Sequence, residues 1–189
     1  MAFDINTFVS TNIAEHAKSS TFLCKLADFK GDLSATFAEG GSSDAATLWT
    51  YTCKGIQIPS STIGVINVNY QGRPIKYPGN RTFEDLTTTV MADEGHATRN
   101  NIESWLHKLN HNVRNVRDST FVTKPDYTAN MSLEVYDKEG VIQATYTFKN
   151  VFPTSLDAVD VAWDSNDAIM EYTVTWSYDW WEHSNVVTT

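Results

Sequence analysis

Basic residues are scarce in this sequence, cysteines nearly absent, and long apolar runs missing. Its 189 residues hold 14 Lys and Arg against 23 Asp and Glu, a formal charge of −9. Tight sequence-independent nucleic-acid binding rests on a basic surface, so this balance argues against it. An acidic wall near DNA repels phosphate rather than holding it. Two cysteines, Cys24 and Cys53, cannot build a disulfide framework and read as reduced, buried thiols of an intracellularly made protein. No stretch approaches the roughly eighteen apolar residues of a membrane span, so no membrane anchor is expected. Met1-Ala2-Phe3-Asp4 carries neither a basic n-region nor an apolar h-region, so no secretory signal is expected either. Without one, the glycosylation patterns at Asn80-Arg81-Thr82 and Asn130-Met131-Ser132 are idle.

Catalytic signatures are also missing: no Gly-x-Ser-x-Gly, no P-loop, no dinucleotide fingerprint after a strand. His107 and His111 would share a face on a continuous helix, but no third ligand stands at a supporting spacing, and a solvated helix end is the plainer reading. Asp93-Glu94 reads as a helix cap and first-turn charge rather than an acid–base pair. No enzyme, cofactor or metal centre is expected.

Aromatic residues are plentiful, with 6 Trp, 8 Tyr and 9 Phe, and threonine recurs, both of which favour strands. Strands are expected at Thr21–Phe29, at Leu48–Ile58 with Trp49, Tyr51 and Cys53 on one face, and at Thr82–Ala92. Val65–Tyr77 reads as a hairpin around Gln71-Gly72-Arg73, with Pro74 marking an edge strand or one that pairs outside its own sheet. Ala129–Asp137 and Val141–Val151 form a second hairpin that Pro153 ends, followed by a short strand at Val159–Trp163. Ile169–Trp181 alternates throughout, with Tyr172, Val174, Trp176, Tyr178 and Trp180 on one face. One helix is clear, about residues 95–109, opened by Asp93 and Glu94, with Ile102, Trp105, Leu106 and Leu109 on its apolar face and His107 and Lys108 at its end. The pattern predicts a single mostly-β domain over 1–189, a sandwich or small barrel of about eight strands with one flanking helix. Residues 1–19 read as an N-terminal arm, 30–47 as a long loop around Gly40-Gly41-Ser42-Ser43, and 183–189 as a loose tail.

Two features ask for a non-enzymatic role. Ser104–Arg117 is basic and free of carboxylates, with Lys108, Arg114 and Arg117; it is either a solvated helix end or a contact patch for an acidic partner. Several strands have small polar and acidic faces: Asp85, Thr87 and Thr89; Thr145 and Thr147; and Glu171, Thr173, Thr175, Ser177 and Asp179. These are either ordinary solvent-facing sheet or the wall of a water-filled channel. A β-sandwich carbohydrate binder would need exposed aromatics along a face, whereas Trp176, Tyr178 and Trp180 lie opposite the polar side and read as core.

Two blocks of motifs carry a resemblance. The first comprises Thr52-Cys53-Lys54, Ile58-Pro59, Pro78-Gly79-Asn80-Arg81-Thr82-Phe83-Glu84-Asp85, Thr89-Val90-Met91-Ala92-Asp93-Glu94, His96 and Arg99. The second comprises Trp163-Asp164-Ser165-Asn166, Ile169, Tyr172, Val174 and Asp179-Trp180-Trp181-Glu182. Together, over roughly residues 47–182, they resemble the tail tube protein of contractile-tailed, T-even-like bacteriophages. The loop 30–47 looks longer than the family's usual connection. The resemblance implies a β-sandwich or barrel-like tail tube fold, hexameric rings stacked into a tube, a surrounding contractile sheath, and baseplate and tail terminator proteins at the tube's ends. Genome DNA would pass through the lumen without specific binding, and the protein would be a virion component made in the host cytoplasm. The polar faces then become candidates for the lumen (Asp85, Thr87, Thr89, Glu171, Thr173, Thr175, Ser177, Asp179). The 65–77 hairpin (Asn69, Gln71, Arg73) and residues 1–19 become candidates for ring stacking, and Lys108, Arg114 and Arg117 for a sheath-facing patch. The alternative within the same fold is the inner tube of a non-viral, phage-like injection or secretion device.

Overall fold

The computed structural model describes residues 18–30, 33, 45–164 and 168–184. In chain order these form β1 (Phe22–Ala27), α1 (Ala45–Thr52), β2 (Cys53–Ile56), β3 (Thr62–Tyr70), β4 (Arg73–Thr82), β5 (Leu86–Met91), α2 (Ala97–Leu109), α3 (Lys124–Tyr127), β6 (Ala129–Tyr136), β7 (Ile142–Leu156), β8 (Glu171–Ser177) and β9 (Trp180–His183). Seven strands join in one antiparallel sheet, β1-β6-β7-β8-β5-β2 with β9 beside β7, while β3 and β4 pair only with each other. The mostly-β expectation holds.

Strand β7 organises the sheet by changing partners along its length. Its first part pairs with β6 on one side and β9 on the other, and Phe152–Leu156 pairs with β8. The change falls just after Asn150, whose φ of 57° turns the strand. Asn150 is held there by its N–H to Asn130 Oδ1 (3.4 Å) and its side-chain amide to Asp179 Oδ2 (2.7 Å). Two leaves result, β1-β6-β7-β9 and β2-β5-β8-β7, and the alternate side chains between them form the core: Met131, Leu133, Phe148, Val90, Val174 and Trp176 are all fully buried. Trp176 meets Trp49 of α1 edge-on (5.5 Å between rings) and Trp105 of α2 (5.8 Å). Cys24 and Cys53 are free and buried; contact with Cys24 and burial both push the Cys53 thiol up.

Helix α2 follows its periodicity. Ile102 and Trp105 are fully buried, and Leu106 and Leu109 pack against the core. Its acids lie just ahead of it rather than in its first turn. Asp93 accepts from the N–H groups of Ala97 (2.9 Å) and Thr98 (3.3 Å) and from Thr98 Oγ1 (2.9 Å), satisfying otherwise orphaned donors. Burial pushes the Asp93 carboxyl up, but these hydrogen bonds outweigh it and hold it below the ordinary aspartate range. Tyr172 Oη donates to Thr98 Oγ1 (2.9 Å) and Trp105 Nε1 to the Tyr127 carbonyl (3.0 Å), tying α2 to β8 and α3.

Several expectations need correction. Leu48–Ile58 is not one strand: Ala45–Thr52 is helical, and only Cys53–Ile56 is extended. Trp49 is 1% and Tyr51 72% exposed, opposite environments for two residues expected on one strand face. The hydroxyls of Thr50 and Thr52 donate to the carbonyls four residues back (2.9 Å each), which satisfies them within the helix without adding to its stability. Thr82–Ala92 is divided, since β4 ends at Thr82 and β5 begins at Leu86. Pro153 does not end β7; it sits at a register shift, where a strand tolerates a missing N–H. Val159–Trp163 forms no strand. Ile169–Trp181 breaks at Tyr178-Asp179, where Lys124 and Asn150 hold the Asp179 carboxylate; beyond the break Trp180 is 42% exposed and Trp181 packs on Tyr146. The described residues therefore hold nine strands and three helices. Most of the arm and of the 30–47 loop lies outside them, but Leu33 is fully buried and Ala45–Thr47 opens α1. At the expected loose tail, His183 ends β9 and Ser184 exchanges hydrogen bonds with Thr145 (3.0 and 3.2 Å); the residues after Ser184 lie outside those described.

Candidate functional site: assembly surfaces

The first surface is the outer face of the β5–β8 pair. The register sets Thr87 opposite Thr175 and Thr89 opposite Thr173. Strand pleating sends Leu86, Val90, Tyr172, Val174 and Trp176 inward and leaves the four threonines together outside. Ser177 continues the row opposite Phe152, and Glu171 ends it opposite Met91. Gly55 of β2 lies beside Thr89 and extends the plateau. Two of the acids expected on this face sit off its strands: Asp85 is exposed just before β5, and Asp179 lies in the bend after β8. Two of them are also paired. Lys54 Nζ reaches Glu171 at 2.5 Å, and Lys124 Nζ reaches both oxygens of Asp179 at 2.6 Å. Burial pushes the Asp179 carboxyl up, and its bonds from Lys124 and Asn150 outweigh that and hold it low. The centre of this face is therefore hydroxyl-rich and uncharged, with the charge moved to its border.

The second surface is the β3–β4 hairpin. It closes through Gln71 (φ 46°) and Gly72 (φ 81°), a two-residue turn with both central φ positive, which matches the twist of paired strands. Cross-strand pairs Ile66–Tyr77, Val68–Ile75 and Tyr70–Arg73 share one face; Asn67–Lys76 and Asn69–Pro74 share the other. Asn69, Gln71 and Arg73 are thus brought to one end but divided between the polar face, the turn and the apolar face. Every residue of β3 is exposed. The base is fastened by Phe83 against Tyr178 and Trp181, by Trp181 Nε1 on the Ser60 carbonyl (3.3 Å), and by Ser60 Oγ on Glu84 (3.3 Å). The apolar face of this hairpin escaped the sequence reading, although the alternation Ile66, Val68, Tyr70 was its signal.

The third surface is the end of α2 and the loop after it. Arg114 and Arg117 are exposed in the loop, and Lys108 is half-buried at the helix end. The Arg117 guanidinium lies 4.7 Å over the Tyr127 ring, and the Asp118 N–H returns to the Lys108 carbonyl (3.0 Å). His111 falls beyond the helix; its ring rests 4.3 Å from that of His107, and its Nδ1 accepts from the N–H groups of Val113 (3.2 Å) and Arg114 (3.3 Å). Among the described residues no three His, Cys, Asp or Glu side chains gather as metal ligands, and no helix is long and apolar enough to cross a membrane.

Known proteins place this architecture. A family model described as phage tail tube protein matches residues 17–184. The tail tube protein gp19 of Enterobacteria phage T4 is 29% identical over 135 residues, covering 71% of this chain and 81% of that protein. The tail tube protein of Serratia phage KSP90 is 26% identical over 121 residues, covering 64% of this chain and 66% of its own length. The fold is similar to a chain of the sheath–tube complex of an extracellular contractile injection system in its extended state, with a TM-score of 0.62 at 15% identity over 92% of this chain and 95% of the other. A chain of the anti-feeding prophage tube-terminating cap gives a TM-score of 0.62 at 15% identity over 91% of this chain and 93% of the other. The matched span takes in both leaves of the sheet, the hairpin and α2, and the chain belongs to the phage tail tube protein family, structural components of the virion.

Proposed function

We propose that this chain forms hexameric rings that stack into the inner tube of a contractile tail, and that genome DNA passes through the lumen without being bound. The observation that carries the reading is the β5–β8 register, which gathers Thr87, Thr89, Thr173 and Thr175 on one face. Turned inward around a ring, that face offers DNA hydroxyls at its centre, and the lysines at its border, Lys54 and Lys124, are paired with carboxylates. The chain's charge of −9, repeated around six copies, adds a repulsive field that salt confines to within about 8 Å of the wall. Ring closure by head-to-tail contacts would occupy sheet edges that otherwise invite uncontrolled pairing.

In this reading the hairpin stacks one ring on the next, the arm 1–19 joins that contact, and the outer side of α2 with Lys108, Arg114 and Arg117 faces the sheath. Baseplate and terminator proteins meet the two ends of the tube, and the chain catalyses nothing. The fold similarity to an extracellular contractile injection system supports a second reading, the inner tube of a phage-like injection device. Genes for packaging a genome, a portal above all, found beside this one would separate the two.

Negative-stain electron microscopy of the purified chain, with its mass in solution, tests the proposal. Hollow tubes or six-membered rings are the expected result. A chain that stays monomeric and also fails to extend a baseplate seed would overturn it.

A further inference from the structure

One segment of the body complements the hairpin in both charge and apolarity. Residues 62–82 hold Arg73, Lys76 and Arg81 and no acid, although the whole chain has a charge of −9. Among the described residues none of the three makes an ion pair, and nothing covers the exposed apolar face of Ile66, Val68, Ile75 and Tyr77. Residues 157–164 are the reverse: Asp157, Asp160 and Asp164 with no base, interleaved with Val159, Val161 and Trp163. Asp160 and Asp164 are exposed and make no ion pair among the described residues, Val161 is 78% exposed, and Trp163 is fully exposed. The segment's start is anchored, Asp157 donating its N–H to the Thr173 carbonyl (3.0 Å) and accepting from Arg99 at its own carbonyl (3.3 Å). Between this segment and α2 runs an open groove of about 380 Å³, lined by His96, Asn100, Glu103, Val159, Val161 and Met170.

Among the described residues no other acidic stretch fits as well. The turn at Asp137 and Glu139 also has exposed valine and isoleucine beside it, but Lys138 interrupts it, and Asp137 is consumed by the N–H groups of Glu139 and Val141 and the amide of Gln143. Glu84 and Asp85 lie at the base of the hairpin itself.

We propose that the hairpin of one copy seats on segment 157–164 of a second copy. Val161 and Trp163 cover the Ile66–Val68–Ile75 face, and Asp160 and Asp164 meet Arg73 and, around the β4 edge, Lys76. This rests on the reading of the hairpin as a ring-to-ring contact and names the surface it contacts. Apolar cover supplies most of the affinity, and the charges fix register and partner.

Charge reversal in the full-length chain tests it, with assembly read by electron microscopy and sedimentation and seeded on baseplates if the chain does not polymerise alone. Arg73→Glu/Lys76→Glu and Asp160→Lys/Asp164→Lys should each raise the concentration needed for assembly by about tenfold or more, and the fourfold variant should restore it. If the aspartate reversal assembles like the parent while the hairpin reversal does not, the hairpin stacks elsewhere and this seat is wrong. If hairpin reversal and hairpin deletion both assemble normally, the stacking reading falls and takes the seat with it. A cysteine pair covers the case of misfolded reversals: Tyr70→Cys and Trp163→Cys chains, co-assembled and treated with oxidised glutathione, should give a mixed disulfide dimer on a non-reducing gel. Assembled tubes without that adduct overturn the proposal.

Discussion

Thr88→Val should destabilise the subunit although it preserves shape. Thr88 is the middle residue of a threonine run and points into the core between the two outward threonines, fully buried. Its Oγ1 accepts the Trp176 indole N–H at 2.8 Å and donates to the Val174 carbonyl at 3.4 Å. Valine fills the same volume and suits a strand at least as well, so neither a cavity nor a propensity loss accompanies the change. What remains is a buried indole N–H with no acceptor, which costs about 1–3 kcal/mol, partly offset by the hydroxyl no longer desolvated. A net loss of about 1–2 kcal/mol lowers Tm by about 2–8 °C in a protein of this size. Thermal melts at concentrations where the chain is monomeric measure it. Trp176→Phe supplies the control, because it removes the donor and should make Thr88→Val nearly neutral. A Thr88→Val chain that melts with the parent, or that loses as much in the Trp176→Phe background, would refute the hydrogen bond as the reason a threonine stands there.

Other outcomes follow from the same geometry. Asp93→Ala should cost about 1–2 kcal/mol, the range for a lost helix cap, measured by denaturant unfolding followed by circular dichroism. Because the folded Asp93 carboxyl lies below its unfolded value, its contribution is complete above the unfolded pKa near 4 and is lost as pH falls through the folded one; Asp93→Asn should therefore flatten the acid limb of the Tm–pH curve. Thr87→Lys/Thr175→Lys should leave tubes intact under the microscope but slow DNA release from the assembled virion, and added salt should relieve the defect. Cys24 and Cys53 should react with a thiol reagent only on unfolding, so prompt modification of the native chain would contradict their burial.

What could be read in advance was local. Helix α2 shows itself through Ile102, Trp105, Leu106 and Leu109, and β8 through Tyr172, Val174 and Trp176, because each buries one face and repeats at its own period. Residues 45–52 misled for the converse reason. Trp, Tyr and Thr favour strands on average, and what makes them helical here is tertiary: Trp49 reaches Trp176, more than a hundred residues away. The same distance hid the border of the threonine face. Nothing near Glu171 announces Lys54, and nothing near Asp179 announces Lys124; the β2–β5–β8 pairing brings the first pair together, and the placement of α3 beside the bend after β8 the second. Pro153 deceived as an end signal because a bulge accommodates it, and a bulge is a property of two strands.

The hairpin carries the strongest physical argument for the proposed assembly. A two-stranded ribbon is at best marginally stable in water and normally needs a third strand or a packed face. Among the described residues β3 and β4 have neither, yet their alternation is clean, their turn is well formed, and their base is clamped by Phe83 and Trp181. Sequence features that make a ribbon rigid while leaving its apolar face bare are wasted on a monomer. They are useful if the ribbon waits in the right shape for a surface on another molecule, since a partner that is already ordered loses less entropy on binding. The charge distribution points the same way: acidic copies repel, and three basic residues without an acid on a projecting hairpin are suited to bring the next copy in.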